Sequence, residues 1–512
     1  MPITQLQNRQ ARLQSKTGAL ADLREKVGAF KTAADALRSA GNLRAFTVTA
    51  SDETILTAAA SSAAGEGSHT VVVNQLAAAH RMVNTGHESL ETLVGAGTFA
   101  YAYNGTTRTI QTTADTMLQD LRDLINNDGG NPGVTASILE YDAGGGHVFH
   151  LVLGGNDTGA DCAVTIDDQQ TTIEGFESAD FTVTQAAQDS QVRVDGYPSG
   201  DWISRSTNTI SDVLPGLTLH LQSAGTATIN LTRDTASLKE KVQALVTAYN
   251  NMVDYARKKT AYDTAAKTGG ILMGEYAVTA TLHTLRMPLV GAAAGFQDGQ
   301  DAYTLAAQAG LSADRDGRLQ LDEKVFDEAV ADNYLGVLAL LGADRTGASD
   351  SEYLRFYGAG RTTTPGFYDV EATFAGGVLQ SARIKLTSEP ESAYRAATVQ
   401  GGVIIGAAGQ PERNLQVAAS YSGSGTVTAA VRVRQGLAGA LYDNAKDVLD
   451  ETLEFAGDAA QDGIDRLQGQ IDREEARLLQ LENQLKAQYA RLEEALTLLA
   501  AQRNYWTIFA SA

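Results

Sequence analysis

The stretch IDRLQGQIDREEARLLQLENQLKAQYARLEEALTLL, residues 464–499, decides the fold because it keeps an apolar residue at every seventh position. Those positions are Ile464, Ile471, Leu478, Leu485, Leu492 and Leu499. A seven-residue apolar repeat with charged and amide residues between is the seam pattern of a coiled coil. At about 1.5 Å per residue this helix would be roughly 54 Å long. A small domain cannot cover that length, so the sequence predicts a rod.

A second repeat of this kind lies at the amino-terminal end. Its seam positions are Leu6, Leu13, Leu20 and Val27, and a second apolar series follows at Leu23, Phe30 and Leu37. The polar residues Arg9 and Lys16 occupy seam positions in the first part, which weakens the repeat. We therefore expect this helix to need a partner helix.

Two arrangements of the terminal helices fit the pattern. They can pack in an ordinary intramolecular bundle, or they can pair with each other and also present a seam to neighbouring subunits. The second is favoured because aromatic and apolar residues follow Leu499 with little sequence left to bury them. The predicted interface residues are Leu6, Leu13, Leu20, Val27, Ile464, Ile471, Leu478, Leu485, Leu492, Leu499 and Trp506.

Between the helical ends the apolar period changes to two, which predicts strands. Residues 217–221 and 227–231 alternate in this way and are predicted to form a β-hairpin. A further helix is expected over about 322–341, and a second β block over 350–435 lies between helical regions, as an inserted domain would. These patterns predict an α+β, multidomain fold. Long coiled-coil-like helices from both termini form a leg, and β-rich head domains are inserted between them.

A chain of 512 residues exceeds the size of a single core, so several domains are expected. Their predicted bounds are 1–68 for an N-terminal helical leg and entry strand, 69–100 and 186–234 for two parts of a head domain, 101–185 for an inserted β-rich head domain, 235–345 for a helical leg domain, 346–435 for an additional inserted β domain, and 436–512 for the C-terminal coiled-coil helix.

Charge and cysteine content exclude several classes of function. The chain has 61 acidic and 40 basic residues, and a net charge of −21 would repel nucleic acid phosphates and anionic lipid surfaces. No apolar run is long enough to span a bilayer, so neither nucleic acid binding nor membrane insertion is expected. The single cysteine, Cys162, allows no intramolecular disulfide. The start lacks the regions of a cleaved signal peptide, so we expect any export to proceed without one.

One segment, SADRDGRLQLDE at 312–323, is similar to a calcium-binding loop. Its matching positions are Asp314, Asp316, Gly317 and Glu323. The first position is Ser312, where a calcium loop has an aspartate, and losing that carboxylate removes a primary ligand. The interpretation that we favour is a tight turn at Asp316 and Gly317, then a short strand, then a helix capped by Asp322.

No other motif predicts chemistry. His147 and His150 are three residues apart in a predicted strand, so they point to opposite faces and are not expected to share a metal. No nucleophile elbow, phosphate-binding loop or dinucleotide fingerprint is found. The sequence therefore predicts a protein that is not an enzyme, with no catalytic residues, no cofactor and no metal.

Six segments carry a family resemblance. They are PITQLQNRQARLQSKTGALADLREKVGAF (2–30), VVVNQLAAAHRMVNTG (71–86), NTISDVLPGLTLHL (208–221), INLTRDTASLKEKVQALVTAYNNMVDY (229–255), AAQAGLSADRDGRLQLDEKVF (306–326) and QYARLEEALTLLAAQRNYW (488–506). In this order they resemble the flagellar filament cap family, also called hook-associated protein 2.

The resemblance implies a protein exported by the flagellar type III apparatus to the extracellular tip of the bacterial flagellum. There a ring of the chain, a tetramer, pentamer or hexamer, would help flagellin subunits insert so that the filament elongates. The implied partners are further copies of the chain, flagellin, the hook–filament junction proteins and a flagellar export chaperone.

Two features depart from this family. Members usually carry a Gly/Ser-containing segment before the first helix, whereas this chain enters the helix at Pro2, so we expect a truncated or divergent start. The β block at 350–435 interrupts a region where simpler members pass directly to the C-terminal helix, and it resembles an additional head domain. An alternative function is therefore a surface adhesin whose β domains bind host or environmental glycans while the helices only multimerise.

Overall fold

The computed structural model describes residues 3–142 and 147–510, with side chains described up to residue 503. The chain divides into two compact units, a terminal unit (Met1–Leu43 with Thr235–Ala512) and a central unit (Arg44–Asp234). The predicted α+β, multidomain architecture is confirmed, since helices form both ends of the chain and sheets lie between them. The finer domain bounds given above stay predictions.

The helices confirm the predicted rod. Their bounds are α1 (Ile3–Asp35), α2 (Ala40–Leu43), α3 (Leu118–Asn126), α4 (Thr235–Thr260), α5 (Tyr276–Val290), α6 (Glu323–Gly342), α7 (Leu437–Asp447) and α8 (Leu453–Ala510), with short 3-10 turns at Ser178–Asp180, Ala306–Ala309 and Glu391–Ala393. A π-helical segment, Val448–Thr452, joins α7 to α8. Residues 464–499 therefore lie inside one continuous helix of 58 residues.

The central unit consists of antiparallel sheets. Its strands are β1 (Phe46–Ala50), β2 (Leu56–Ala60), β3 (Gly67–Gln75), β4 (Ala79–Asn84), β5 (Gly97–Tyr103), β6 (Thr106–Thr112), β7 (Val134–Asp142), β8 (His147–Thr158), β9 (Thr165–Ile166), β10 (Phe181–Gln185), β11 (Ser190–Val194), β12 (Ile203–Arg205), β13 (Thr209–Leu214), β14 (Leu217–Leu221) and β15 (Gly225–Arg233). The strand orders are β1-β15-β3-β11-β12, β10-β4-β8-β7, β13-β14-β2 and β6-β5-β9. Two separate apolar cores hold these sheets, one around Leu219 and Ile229 and one around Phe99 and Leu151.

The predicted hairpin between 217–221 and 227–231 is wrong. Both strands form, but β14 pairs with β13 and β2, whereas β15 pairs with β1 and β3 in another sheet. Alternating apolar residues make each segment a strand with one buried face. Each buried face packs into a core shared by both sheets, and that packing, not proximity in sequence, selects the partner strand.

The terminal unit adds a large sheet to its helices. Its strands are β16 (Tyr262–Asp263), β17 (Thr268–Gly269), β18 (Leu311–Ala313), β19 (Leu319–Leu321), β20 (Asp344–Ser349), β21 (Leu354–Ala359), β22 (Gly366–Ala375), β23 (Val378–Leu386), β24 (Arg395–Gln400), β25 (Val403–Ile405), β26 (Leu415–Ala419) and β27 (Gly425–Gln435). Strands β20 to β27 form one sheet of eight, in the order β20-β27-β22-β23-β24-β25-β26-β21. Tyr368, Val370 and Val417 are fully buried in its core.

This sheet is inserted between α6 and α7. The backbone N–H of Gly436 donates to the carbonyl of Ala343 at 2.7 Å, so the chain leaves and re-enters the helices at adjacent points. A Cβ atom at Gly436 would lie 2.7 Å from a backbone oxygen of α6, a closeness that only glycine tolerates. Asp301 accepts hydrogen bonds from Arg432 and Arg434 at 2.7 and 2.9 Å and so anchors β27 to the helical part.

The apolar face of α1 builds the helical core. Leu23, Val27 and Phe30 are completely buried, and the Phe30 ring meets the Tyr249 ring of α4 edge-on, with 5.5 Å between the centroids. Burying side chains of this size contributes about 1.5–3 kcal/mol each to stability. The second apolar series of the first helix, together with Val27 of the predicted seam, therefore serves the interior of the terminal unit.

The calcium-like segment is a turn, as favoured from the sequence. Strands β18 and β19 pair as antiparallel neighbours on either side of it. The Asp314 carboxylate accepts the backbone N–H groups of Asp316 and Arg318 at 2.8 and 2.9 Å, and Gly317 has a positive φ of 77°. The Asp316 carboxylate accepts from Arg257 at 2.7 Å. Both carboxylates are therefore used to fix the turn.

Asp322 caps α6, also as predicted, and its removal is expected to cost stability. Its side chain accepts the backbone N–H groups of Lys324 and Val325, both at 3.1 Å. Asp322→Ala should lower the free energy of unfolding by about 1 kcal/mol, because these donors lose their partner. Urea unfolding followed by circular dichroism measures the change. Asp322→Asn keeps a capping oxygen and should behave like the wild type; equal losses in both variants would contradict a capping role.

Candidate assembly surface

The two terminal helices pair in an antiparallel arrangement. Gln10 of α1 donates to Gln468 of α8 at 2.7 Å, and Arg24 lies 3.5 Å from Glu454. Residue numbers thus rise along α1 as they fall along α8. By this register, the first described turn of α1 lies beside α8 near residue 475.

One part of the predicted seam is buried within the chain. The buried side chains are Leu6, Leu20, Val27, Ile464 and Ile471, and Leu13 is half-buried. They hold α1 against the rest of the terminal unit. The predicted pairing of the two chain ends is therefore seen in the structure, while a role of these six residues in contacts between copies stays a prediction.

The other part of the seam is exposed. Every residue from 475 to 503 is exposed. This segment makes up most of the final stretch of α8, which is about 50 Å long. The leucines on one face of this segment, here called the leucine stripe, are Leu478 (53% exposed), Leu481 (52%), Leu485 (45%), Leu492 (56%), Leu496 (56%) and Leu499 (60%). Such a long row of exposed apolar side chains is typical of an interaction surface.

The flanks of the leucine stripe are polar. Lys486 pairs with Glu482 at 2.7 Å, and Arg477 pairs with Glu474 at 3.3 Å, both along the same helix. Pairs of this kind contribute only about 0.2–0.5 kcal/mol each. The distal part of α8 is therefore a solvated helix with one narrow apolar face. The Trp506 side chain lies outside the described residues, although the backbone of α8 continues to Ala510.

Sequence reasoning missed α5. Its apolar residues recur three or four positions apart, at Val278, Leu282, Leu285 and Leu289, so a helical signal was present. The loop before it ends at Glu275, whose carboxylate pairs with Lys16 of α1. This contact fixes the loop against the paired terminal helices.

Two large aromatic side chains beside this loop are exposed. Tyr276 is 81% exposed and Phe455 is 77% exposed, and both line a cavity of about 490 Å³. The floor of the cavity consists of small residues of α8, Ala456, Ala459 and Ala460. A second apolar surface therefore exists on the terminal unit, away from the leucine stripe.

The histidines considered from the sequence have separate partners. His147 pairs with Glu140 at 2.5 Å, whereas the Nδ1 atom of His150 lies 2.9 Å from the carbonyl oxygen of Asn84. Across residues 3–142 and 147–510, no group of three or more His, Cys, Asp or Glu side chains is placed to hold a metal ion. Within the same residues, no helix is both long and apolar enough to cross a membrane.

Family sequence profiles match most of the chain. The profile of the flagellar hook-associated protein 2 C-terminus matches residues 187–501, and that of the N-terminus matches residues 1–80. A profile of the flagellin hook IN motif matches residues 98–147.

Individual relatives agree with the profiles. The chain is 30% identical over 366 residues to the flagellar hook-associated protein 2 of Escherichia coli K12, covering 67% of this chain and 75% of that protein. It is 28% identical over 356 residues to the B-type flagellar hook-associated protein 2 of Pseudomonas aeruginosa, covering 64% and 72%. The crystal structure of the D1-D2-D3 domains of the flagellar cap protein FliD from Escherichia coli superposes with a TM-score of 0.54 and 29% identity, covering 63% of this chain and 90% of that one.

Proposed function

This chain belongs to the flagellar hook-associated protein 2 family of structural, non-enzymatic filament caps, and we propose that copies of it form a ring that promotes flagellin insertion at the filament tip. The coarse assignment, a capping protein at the tip of the flagellum, follows from family membership. The ring, its stoichiometry of four, five or six copies and the insertion of flagellin are the proposed part.

The observation that carries the proposal is the leucine stripe. A leucine that is about half exposed has roughly 1 kcal/mol still to gain from burial. Six such leucines give roughly 6 kcal/mol per leg, before the cost of ordering two bodies is subtracted. The leucine stripe can therefore contribute to a contact with a neighbouring copy or with the filament, while each single contact stays reversible.

The partners follow from the same proposal. Further copies of the chain and flagellin would contact the legs, because the exposed seam is a coiled-coil surface that accepts another helix. The hook–filament junction proteins and an export chaperone are carried over from the family resemblance. Export without a cleaved signal peptide is likewise part of the proposal.

The adhesin alternative finds little support in the inserted sheet. Its shallow outer cavity of about 360 Å³ is lined by Glu371, Arg383 and Tyr394, a combination found in glycan sites. However, the Tyr394 ring is already covered, with the Arg383 guanidinium 4.4 Å and the Lys385 ammonium 5.2 Å from its centroid. A sugar would therefore compete with two cations for this ring, and we propose the capping function alone.

Complementation tests the proposal. A flagellated strain that lacks its own cap and carries this chain together with its cognate flagellin is expected to regain filaments and swimming. The purified chain is expected to form an oligomer of defined size by light scattering. Filament recovery is measured by electron microscopy and soft-agar spreading. A chain that stays monomeric at every concentration and restores no filaments would contradict the ring.

A further inference from the structure

We propose that a second copy of this chain docks into a basic groove beside α1 and presents to it an acidic, aromatic face of its own α7–α8 segment. The inference rests on the proposed ring and names one contact that would build it. It uses surfaces of the terminal unit other than the leucine stripe.

The basic groove has a volume of about 390 Å³ and lies between α1, the loop before α5 and α8. Its apolar floor includes Leu13, Ile271 and Leu467, and the exposed Met273 side chain lies at its edge. Arg9 and Arg12 line one wall from α1. The groove therefore offers an apolar surface with a positively charged border.

The charges of the groove are only partly neutralised. Lys16 pairs with Glu275 at the groove wall. For Arg9 and Arg12, by contrast, the described part of the chain supplies no ion-pair partner within 4.0 Å, and both side chains are exposed. On a protein with a net charge of −21, two unpaired arginines beside an apolar floor favour an acidic partner with an apolar anchor.

The same chain carries such a surface. The exposed acidic residues at the end of α7, in the π segment and in the first turns of α8 recur every three or four positions, at Asp447, Glu451, Glu454, Asp458, Asp462 and Asp465. Phe455 stands among them with 77% of its side chain exposed.

Asp458 and Asp462 of the acidic face cannot reach the groove within one copy. Leu467 of the groove lies on the same side of α8 as the buried Ile464 and Ile471, whereas Asp458 and Asp462 lie on the opposite, solvent side. A contact between two unlike surfaces repeats from copy to copy, and such heterologous contacts close into rings when the rotation allows it. Phe455 would cover the apolar floor while the carboxylates meet the arginines.

Charge reversal on either surface tests the contact. The Arg9→Glu, Arg12→Glu variant and the Asp458→Arg, Asp462→Arg variant of the full chain should each associate about tenfold more weakly, because like charges then face each other. The variant with all four changes should regain the wild-type association. Sedimentation velocity over a range of concentrations measures the association, and added salt should weaken the wild-type contact.

The matched control is Lys258→Glu with Arg315→Glu, which changes net charge as much as the groove variant and alters exposed positions elsewhere on the terminal unit. It should associate like the wild type. All exchanged side chains are exposed, so equal melting curves are expected. If the groove variant and the acidic-face variant both leave the oligomer intact, this contact is overturned. It is also overturned if the four-fold variant does not regain association. Neither result overturns the ring. A monomeric wild type overturns both.

Discussion

Filament capping is expected to fail when Leu485 and Leu492 of the leucine stripe are both replaced by glutamate. The two leucines are 45% and 56% exposed, so the free chain loses little packing, and glutamate is nearly as good a helix former as leucine. In the assembled seam, however, each leg would lose roughly 1 kcal/mol per leucine and would also have to desolvate a carboxylate. Association should weaken on the order of a hundredfold.

Filament length by electron microscopy, in a strain that depends on this chain for its cap, measures the outcome. The matched control is Leu479→Glu with Leu498→Glu, which changes two leucines that are 58% and 61% exposed but lie on other faces of α8. This control should still cap filaments, and both double variants should melt like the wild type. If the two double variants cap equally well, the leucine stripe is not the contact surface.

The rod itself could be predicted from the sequence, but its division into a covered and an open part could not. The seven-residue repeat is the same from Ile464 to Leu499, so nothing in it shows where a partner helix ends. That boundary follows from the antiparallel register, which the structure sets through contacts such as Gln10 with Gln468. These residues are 458 positions apart in the chain, and no local pattern reports such a pairing.

The strands show the same limit. Asn104 and Gly105 form the Asn-Gly pair that is typical of a tight hairpin turn; in the structure both adopt positive φ, and β5 and β6 pair across them. The segments 217–221 and 227–231 carry an equally regular alternation, yet they enter different sheets. Alternation reports that a strand has one buried face, whereas the choice of partner depends on which distant strands complete the core.

The inserted sheet buries part of a cluster of charged side chains, although charged residues usually lie on the protein surface. Glu412 is 0% exposed, and Arg395 donates to its two carboxylate oxygens at 2.6 and 2.8 Å. Arg395 also donates to Glu389 at 2.7 Å, and this hydrogen bond lowers the pKa of Glu389. The arginine thus supplies the positive charge that pairs with a fully buried carboxyl group in this sheet.

Replacing Arg395 with methionine is therefore expected to destabilise the sheet by about 3 kcal/mol, because Glu412 keeps its burial and loses its partner. Hydrogen exchange of the full chain should show the loss as faster exchange in strands β24 to β26. Adding Glu412→Leu should recover most of it, since an apolar side chain needs no partner. Arg383→Met removes an exposed arginine that pairs with Glu371 and should change little. Equal protection in Arg395→Met and Arg383→Met would show that the buried carboxylate does not depend on its arginine.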